Sequence, residues 1–145
     1  MVMQNSLLIH KAACALLLLA LLTSAAQSAL FFTHETNWRY FKAFSEPSSP
    51  NTAWREIAFD DSTWLEGQAP FFYEDSTGYS GNTDLTDMRN GYTGIYMRKT
   101  FLVADPGEIS ALELDLNIDD GCVVWINEVE VTRVNVRADF LFYND

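Results

Sequence analysis

The stretch Leu112-Glu113-Leu114-Asp115-Leu116-Asn117-Ile118-Asp119-Asp120-Gly121-Cys122-Val123-Val124-Trp125-Ile126-Asn127-Glu128-Val129-Glu130-Val131-Thr132 decides the fold. Leu112, Leu114, Leu116 and Ile118 alternate with Glu113, Asp115 and Asn117. Side chains of a strand point to opposite faces in turn, so the pattern predicts a half-buried strand over 112–118. A helical period would gather Leu112 with Leu116 and send Leu114 to the far side. Asp119-Asp120-Gly121 then predicts a turn, because Asp tolerates turn geometry and Gly accepts positive φ. Cys122 to Ile126 is rich in β-formers, Asn127-Glu128 makes a second short connection, and Val129 to Thr132 alternates again. Three strands and two tight turns predict an antiparallel meander.

Working outward, Ile95 to Val103 is another β-rich run, expected to pair in the same sheet and punctuated by Asp105-Pro106-Gly107. Trp38 to Phe44 predicts an initial strand, closed by Ser45-Glu46-Pro47-Ser48-Ser49-Pro50. Between Asn51 and Tyr92, breaker clusters and weak periodicity predict long loops with short strands and one helical turn near Asn51 to Arg55. Frequent turns without a helical segment make the class all-β, an antiparallel β-sandwich.

Ahead of this lies Met1 to Ser28, which reads as a secretory signal-peptide helix. A single cation, Lys11, precedes the apolar run Ala12 to Leu22, too short for a bilayer of roughly 30 Å hydrocarbon. Small residues at Ser24-Ala25-Ala26 and Ala26-Gln27-Ser28 then offer cleavage sites. The chain is expected to be secreted or periplasmic, with residues 29–145 as one domain that does not engage a membrane after cleavage. Cleavage removes Cys14 and leaves Cys122 alone; its apolar surroundings predict a buried hydrophobe rather than a reactive thiol.

With 9 Lys+Arg against 20 Asp+Glu, the 145 residues carry a net charge of −11. That excludes nucleic acid as a partner, since phosphate binding needs clustered cations. Enzyme signatures are sparse. One His, His34, follows the signal, and neither a Gly-x-Ser-x-Gly elbow nor a second His for zinc is present. Asp60-Asp61 and Asp119-Asp120 are the only paired carboxylates. Such pairs could serve a small secreted glycoside hydrolase, the third reading of the chain, but adjacent Asp residues belong to turns and caps far more often than to active sites, so no catalytic residue is assigned.

A structural calcium is the candidate cofactor, because hard cations take several oxygen ligands from loops. Asp75, Asp84, Asp119 and Asp120 are its candidate ligands, although none falls in an EF-hand pattern. The aromatics raise sugar binding, since flat rings stack on the apolar faces of sugars while also filling small β cores. They are Trp38, Tyr40, Trp54, Trp64, Phe71, Phe72, Tyr73, Tyr79 and Tyr92; the candidate carbohydrate contacts are Trp54, Tyr73, Tyr79 and Tyr92.

Three motifs in order also carry a resemblance: Phe59-Asp60-Asp61-Ser62-Thr63-Trp64, then Tyr96-Met97-Arg98-Lys99-Thr100-Phe101, then Asp119-Asp120-Gly121 leading into Cys122 to Asn127. From about Trp38 to Val136 the chain resembles the galactose-binding-like jelly-roll modules of secreted bacterial proteins and glycoside hydrolases. The resemblance implies a non-catalytic β-sandwich that binds carbohydrate, partners a glycan or cell surface, or serves a larger secreted protein. The alternative is a structural or interaction fragment of such a protein without a small ligand. In this picture Asp60 or Asp61 caps the turn that lets Trp64 plug the sandwich, and Arg98 pairs with a loop acid.

Three departures stand out. Glu128 replaces the family's Gly in the second hairpin, costing about 1 kcal/mol if the turn is kept. Phe71-Phe72-Tyr73 replaces a Gly-Tyr-Gly loop. The family continues for several strands beyond the meander, so the tail around Ala138 to Tyr143 is expected to supply an abbreviated closing strand, or the sandwich is incomplete.

Overall fold

Breaker residues spaced every few positions leave room only for short strands, and short strands are what form. The computed structural model describes residues 30–73, 80–138 and 143. The expected signal segment therefore lies outside the described residues, as do 74–79 and 139–142. The strands are β1 (Asn37–Lys42), β2 (Leu65–Gln68), β3 (Phe71–Phe72), β4 (Thr83–Asp84), β5 (Ile95–Arg98), β6 (Cys122–Ile126) and β7 (Val129–Val134). Single 3-10 turns occur at Ala53–Arg55, Thr86–Met88 and Pro106–Glu108, the first where the sequence predicts a helical turn. The class is all-β.

β1 lies between β2 and β5 in an antiparallel three-stranded sheet. Register sets Arg39 opposite Glu66 on one side and Arg98 on the other, with Phe41 opposite Tyr96. Directly opposed residues share a face, so one face of the sheet carries a charged row beside an aromatic row. Next to the edge strand, Gly67 makes room for β4: a Cβ there would meet the Thr83 hydroxyl at 2.6 Å. β3 and β4 form a parallel pair, and β6 and β7 a hairpin.

The core is aromatic. Trp54 and Trp64 are 7% and 6% exposed. The Trp54 ring meets Tyr96 at 5.1 Å, Trp64 at 6.4 Å and Trp125 of β6 at 5.5 Å between centroids. The Tyr96 and Trp125 contacts are edge-to-face, and such pairs add about 0.5–1.5 kcal/mol each beyond the area they bury. Arg55 lies over the Trp125 ring at 4.2 Å, and burial lowers its pKa. From Tyr40, also buried, a second edge-to-face contact reaches Phe71 of β3 at 5.0 Å.

Two expectations are corrected. The row Leu112 to Ile118 forms no strand among the described residues, and Leu112 and Leu116 are 49% and 38% exposed. Alternation makes a strand only where a neighbour offers a ladder and a layer to bury against, and the aromatic rings occupy that interior instead. Asp119-Asp120-Gly121 therefore joins no pair of strands, and the meander reduces to one hairpin. β5 likewise pairs with β1, not with that hairpin. Cys122 is half-buried, and burial raises its pKa.

The remaining hairpin keeps its two-residue turn, with Ile126 paired to Val129. Asn127 and Glu128 sit at φ 48° and 69°, both left-handed, as a turn matched to strand twist requires. The register shifts by one between Val124 and Trp125, leaving Val131 as the extra residue of a bulge that strengthens the local twist. At the other end of the chain, the Tyr143 amide donates to Glu46 Oε1 at 3.1 Å and its carbonyl accepts from the Thr93 hydroxyl at 3.3 Å.

Replacing Glu128 by Gly relieves the strained turn residue, and urea denaturation should show stabilisation of about 1 kcal/mol. Unchanged or lower stability would place the strain elsewhere. A pH effect follows from three carboxylates held below their usual range by hydrogen bonds: Asp87 by Lys42, Glu130 by Arg133 and Asp60 by Ser62. A depressed folded pKa contributes stability above the ordinary carboxylate range and loses it as pH falls through that range. Melting temperature should therefore hold between about pH 5 and 6 and drop below about pH 4. In Asp87→Asn the drop should be shallower; a decline beginning near neutrality would contradict this.

Candidate functional site

Arg98 organises the site. Its side chain is only 10% exposed, and its Nε donates to Asp61 Oδ2 at 2.8 Å. The same guanidinium donates from one terminal nitrogen to the Trp54 carbonyl and, at 3.1 Å, to the Glu56 carbonyl. Its plane also faces the Phe59 ring at 5.2 Å. A guanidinium is suited to this task because its donors sit in a rigid planar fork. The expected pairing of Arg98 with a loop acid is thus formed with Asp61. Asp60 accepts from the Ser62 amide at 3.0 Å, and the Trp64 amide donates to the Asp61 carbonyl at 3.0 Å, so this acidic pair shapes the turn that delivers buried Trp64.

Beside this cluster is an open groove of about 310 Å³ lined by Trp38, Arg39, Phe59, Asp61, Glu66 and Lys99, with Asn37, Ile57, Arg98 and Thr100 completing it. The loop 57–61 makes one wall, and the ends of β1, β2 and β5 make the other. Arg39 and Glu66 approach to 3.4 Å with side chains 40% and 54% exposed, a loose surface pair. The Lys99 Nζ donates to the Asn37 carbonyl at 2.8 Å. Half-buried Trp38 packs edge-on to Phe32 at 5.4 Å. The groove therefore sets the Phe59 wall beside donors and acceptors of both signs, while the Trp38 ring turns to the other face of the sheet. Another hollow, of about 300 Å³, is walled mainly by apolar side chains including Phe44, Trp64 and Leu65, with Lys42 and Thr63 as its polar members.

The residues singled out from sequence lie elsewhere. Trp54 is core. Tyr92 is 6% exposed, its hydroxyl donates to Asp87 Oδ1 at 2.9 Å, and burial followed by that carboxylate raises its pKa. Both rings are engaged in packing, Trp54 in the core and Tyr92 against Phe44 and Asp87. Tyr73 is half-buried at the end of β3, while Tyr79 lies outside the described residues. Of the candidate calcium ligands, Asp75 also lies outside them; Asp84 is exposed on β4, and Asp119 and Asp120 are exposed before β6. Among the described residues no three His, Cys, Asp or Glu come together as a metal would need, so Asp84 does not join Asp119 and Asp120 in one cluster. His34 is exposed beside Glu35.

No protein-family model, curated protein or solved structure matches the chain. The site is therefore read from its geometry alone.

Sequence reasoning missed the groove because Arg39, Glu66 and Lys99 are distant in the chain and meet only through strand register. The one local signal was a cation set inside an aromatic strand, Trp38-Arg39-Tyr40. Substituting Arg98 by Met strands the Asp61 carboxylate and two carbonyls, so urea denaturation should show a loss of about 3 kcal/mol. A loss below about 1 kcal/mol would mean that this network is no more than a surface pair.

Proposed function

We propose that this chain is an exported, non-catalytic module of β-sandwich type that binds glycan. The observation that carries the reading is the groove's composition: the Phe59 wall beside Arg39, Glu66 and Arg98, with Asn37, Trp38 and Lys99 also lining it. A sugar ring has an apolar face and a rim of hydroxyls that both donate and accept, and a small set of placed polar groups around aromatic surface suits it. The ordered motifs shared with galactose-binding-like jelly-roll modules support the same reading. So does the use of one acidic pair: Asp60 and Asp61 are engaged in a turn and an ion pair.

A second reading, an interaction piece of a larger secreted protein without a small ligand, is favoured by one observation. Leu102 is 88% exposed, Val129 65%, and Phe101, Ile109, Leu112, Leu116 and Val131 are also exposed. Apolar groups this open are a poor end state in water unless something covers them.

Affinity electrophoresis through a panel of polysaccharides separates the two. Retardation on at least one neutral polysaccharide is expected. Phe59→Ala should weaken it about tenfold, with folding confirmed by a thermal melt, and Tyr92→Phe should leave it unchanged. No retardation on any polysaccharide would favour the interaction reading, and retention undiminished by Phe59→Ala would move the site out of this groove.

A further inference from the structure

We infer that the row Leu112 to Ile118 receives a β-strand of another protein, one in which apolar residues alternate with Lys or Arg. This goes beyond the glycan reading and does not depend on it. The backbone supplies the first reason. Among the described residues, 110–119 belong to no helix or strand and make no backbone hydrogen bond. Peptide groups left in that state are a template onto which an extended segment pairs. The row is nonetheless fastened at both ends. The Ile109 amide donates to the Pro106 carbonyl at 3.3 Å, and the Asn135 side chain donates to the Asp120 carbonyl at 2.9 Å.

The side chains of the row specify the partner. Glu113, Asp115 and Asn117 are exposed, whereas Leu114 and Ile118 are half-buried, with Leu112 and Leu116 more open. An incoming strand of period two sets apolar residues beside the leucines and its alternate residues beside Glu113 and Asp115. Directly opposed charges of opposite sign stabilise such a pair and like charges destabilise it, so those alternate residues are cations. The net charge of −11 also draws a cationic strand in. A second copy of this chain is the poorer occupant. Antiparallel self-pairing that keeps leucine opposite leucine, centred on Leu114, Asp115 or Leu116, sets acid against acid. Glu113 then meets Asp115, Asp115 meets itself, or Glu113 meets Asp119. With a cationic strand in place, main-chain hydrogen bonds supply the affinity and the alternating row supplies the selectivity.

The test is fluorescence anisotropy of short labelled peptides added to the folded protein. The probes are alternating valine and lysine, alternating valine and glutamate, and the valine–lysine composition rearranged into two blocks. The alternating lysine peptide should bind about tenfold tighter than either of the others. Glu113→Lys combined with Asp115→Lys, both at exposed positions, should transfer the preference to the glutamate peptide at an unchanged melting temperature, since surface substitutions rarely disturb stability. At saturation, hydrogen exchange should slow at every second amide from 112 to 118, because one edge of a strand bonds through alternate residues. Equal binding of the alternating and block lysine peptides overturns the inference, for an acidic surface attracts any cation. A lysine preference that survives the double reversal overturns it as well, as does binding of none. If none binds and the free chain sediments as a dimer, the row is covered by a second copy and the inference falls. Retention on polysaccharide is a separate measurement, so failure here leaves the glycan reading untouched.

Discussion

One guanidinium holds this molecule in register. Arg98 projects from the end of β5 and gathers the Asp61 carboxylate together with the carbonyls of Trp54 and Glu56, groups about forty residues earlier in the chain. The segment it captures has little regular structure of its own, one 3-10 turn and a capped bend. Without a partner that donates to three acceptors at once, its backbone oxygens would face either water or an unsatisfied interior. With Arg98 in place, the segment lies over the β1–β5 face and delivers two tryptophans to it. The same act shapes the groove, because Ile57, Phe59 and Asp61 on that segment form its wall. Core and candidate site thus share one fastening.

What the fastening secures is an aromatic interior rather than an aliphatic one. Trp54 touches Trp64, Tyr96 and Trp125, and Phe41 meets both Trp64 and Tyr96. Large rings fill a small interior with few residues, which suits short strands with little side-chain area to offer. The consequence is a surplus of aliphatic side chains. Leu102, Leu112, Leu116, Val129 and Val131 stay exposed because the interior they were patterned for is already occupied or is not built among the described residues.

The sequence disclosed the class of the fold and several of its local devices, for reasons that can be named. Alternation and turn residues marked β1, β5, β6 and β7 because these signals act within a few positions. The pairing of Arg98 with a loop acid and the role of Asp60-Asp61 in placing Trp64 were legible from the motif that contains them, as was the two-residue turn at Asn127-Glu128. The row from Leu112 to Ile118 misled, since alternation states what a strand would look like and not whether a neighbouring strand will receive it. Tyr92 and Trp54 show another limit: a ring flanked by polar or small residues can still turn inward when a carboxylate contact or a cluster of rings awaits it. The groove itself was invisible, because Arg39, Glu66 and Lys99 acquire a common meaning only once β1 is known to lie between β2 and β5.

The account stands or falls on where a sugar settles. Nuclear magnetic resonance of the folded chain, titrated with a saccharide it retains, reads this directly. The account predicts that the amides of residues 37–39, 57–61, 66 and 98–100 move together on one saturation curve, while Trp125 and the β6–β7 hairpin stay still. Shifts centred on the hairpin, on Tyr92 or on residues 101–118 would contradict it.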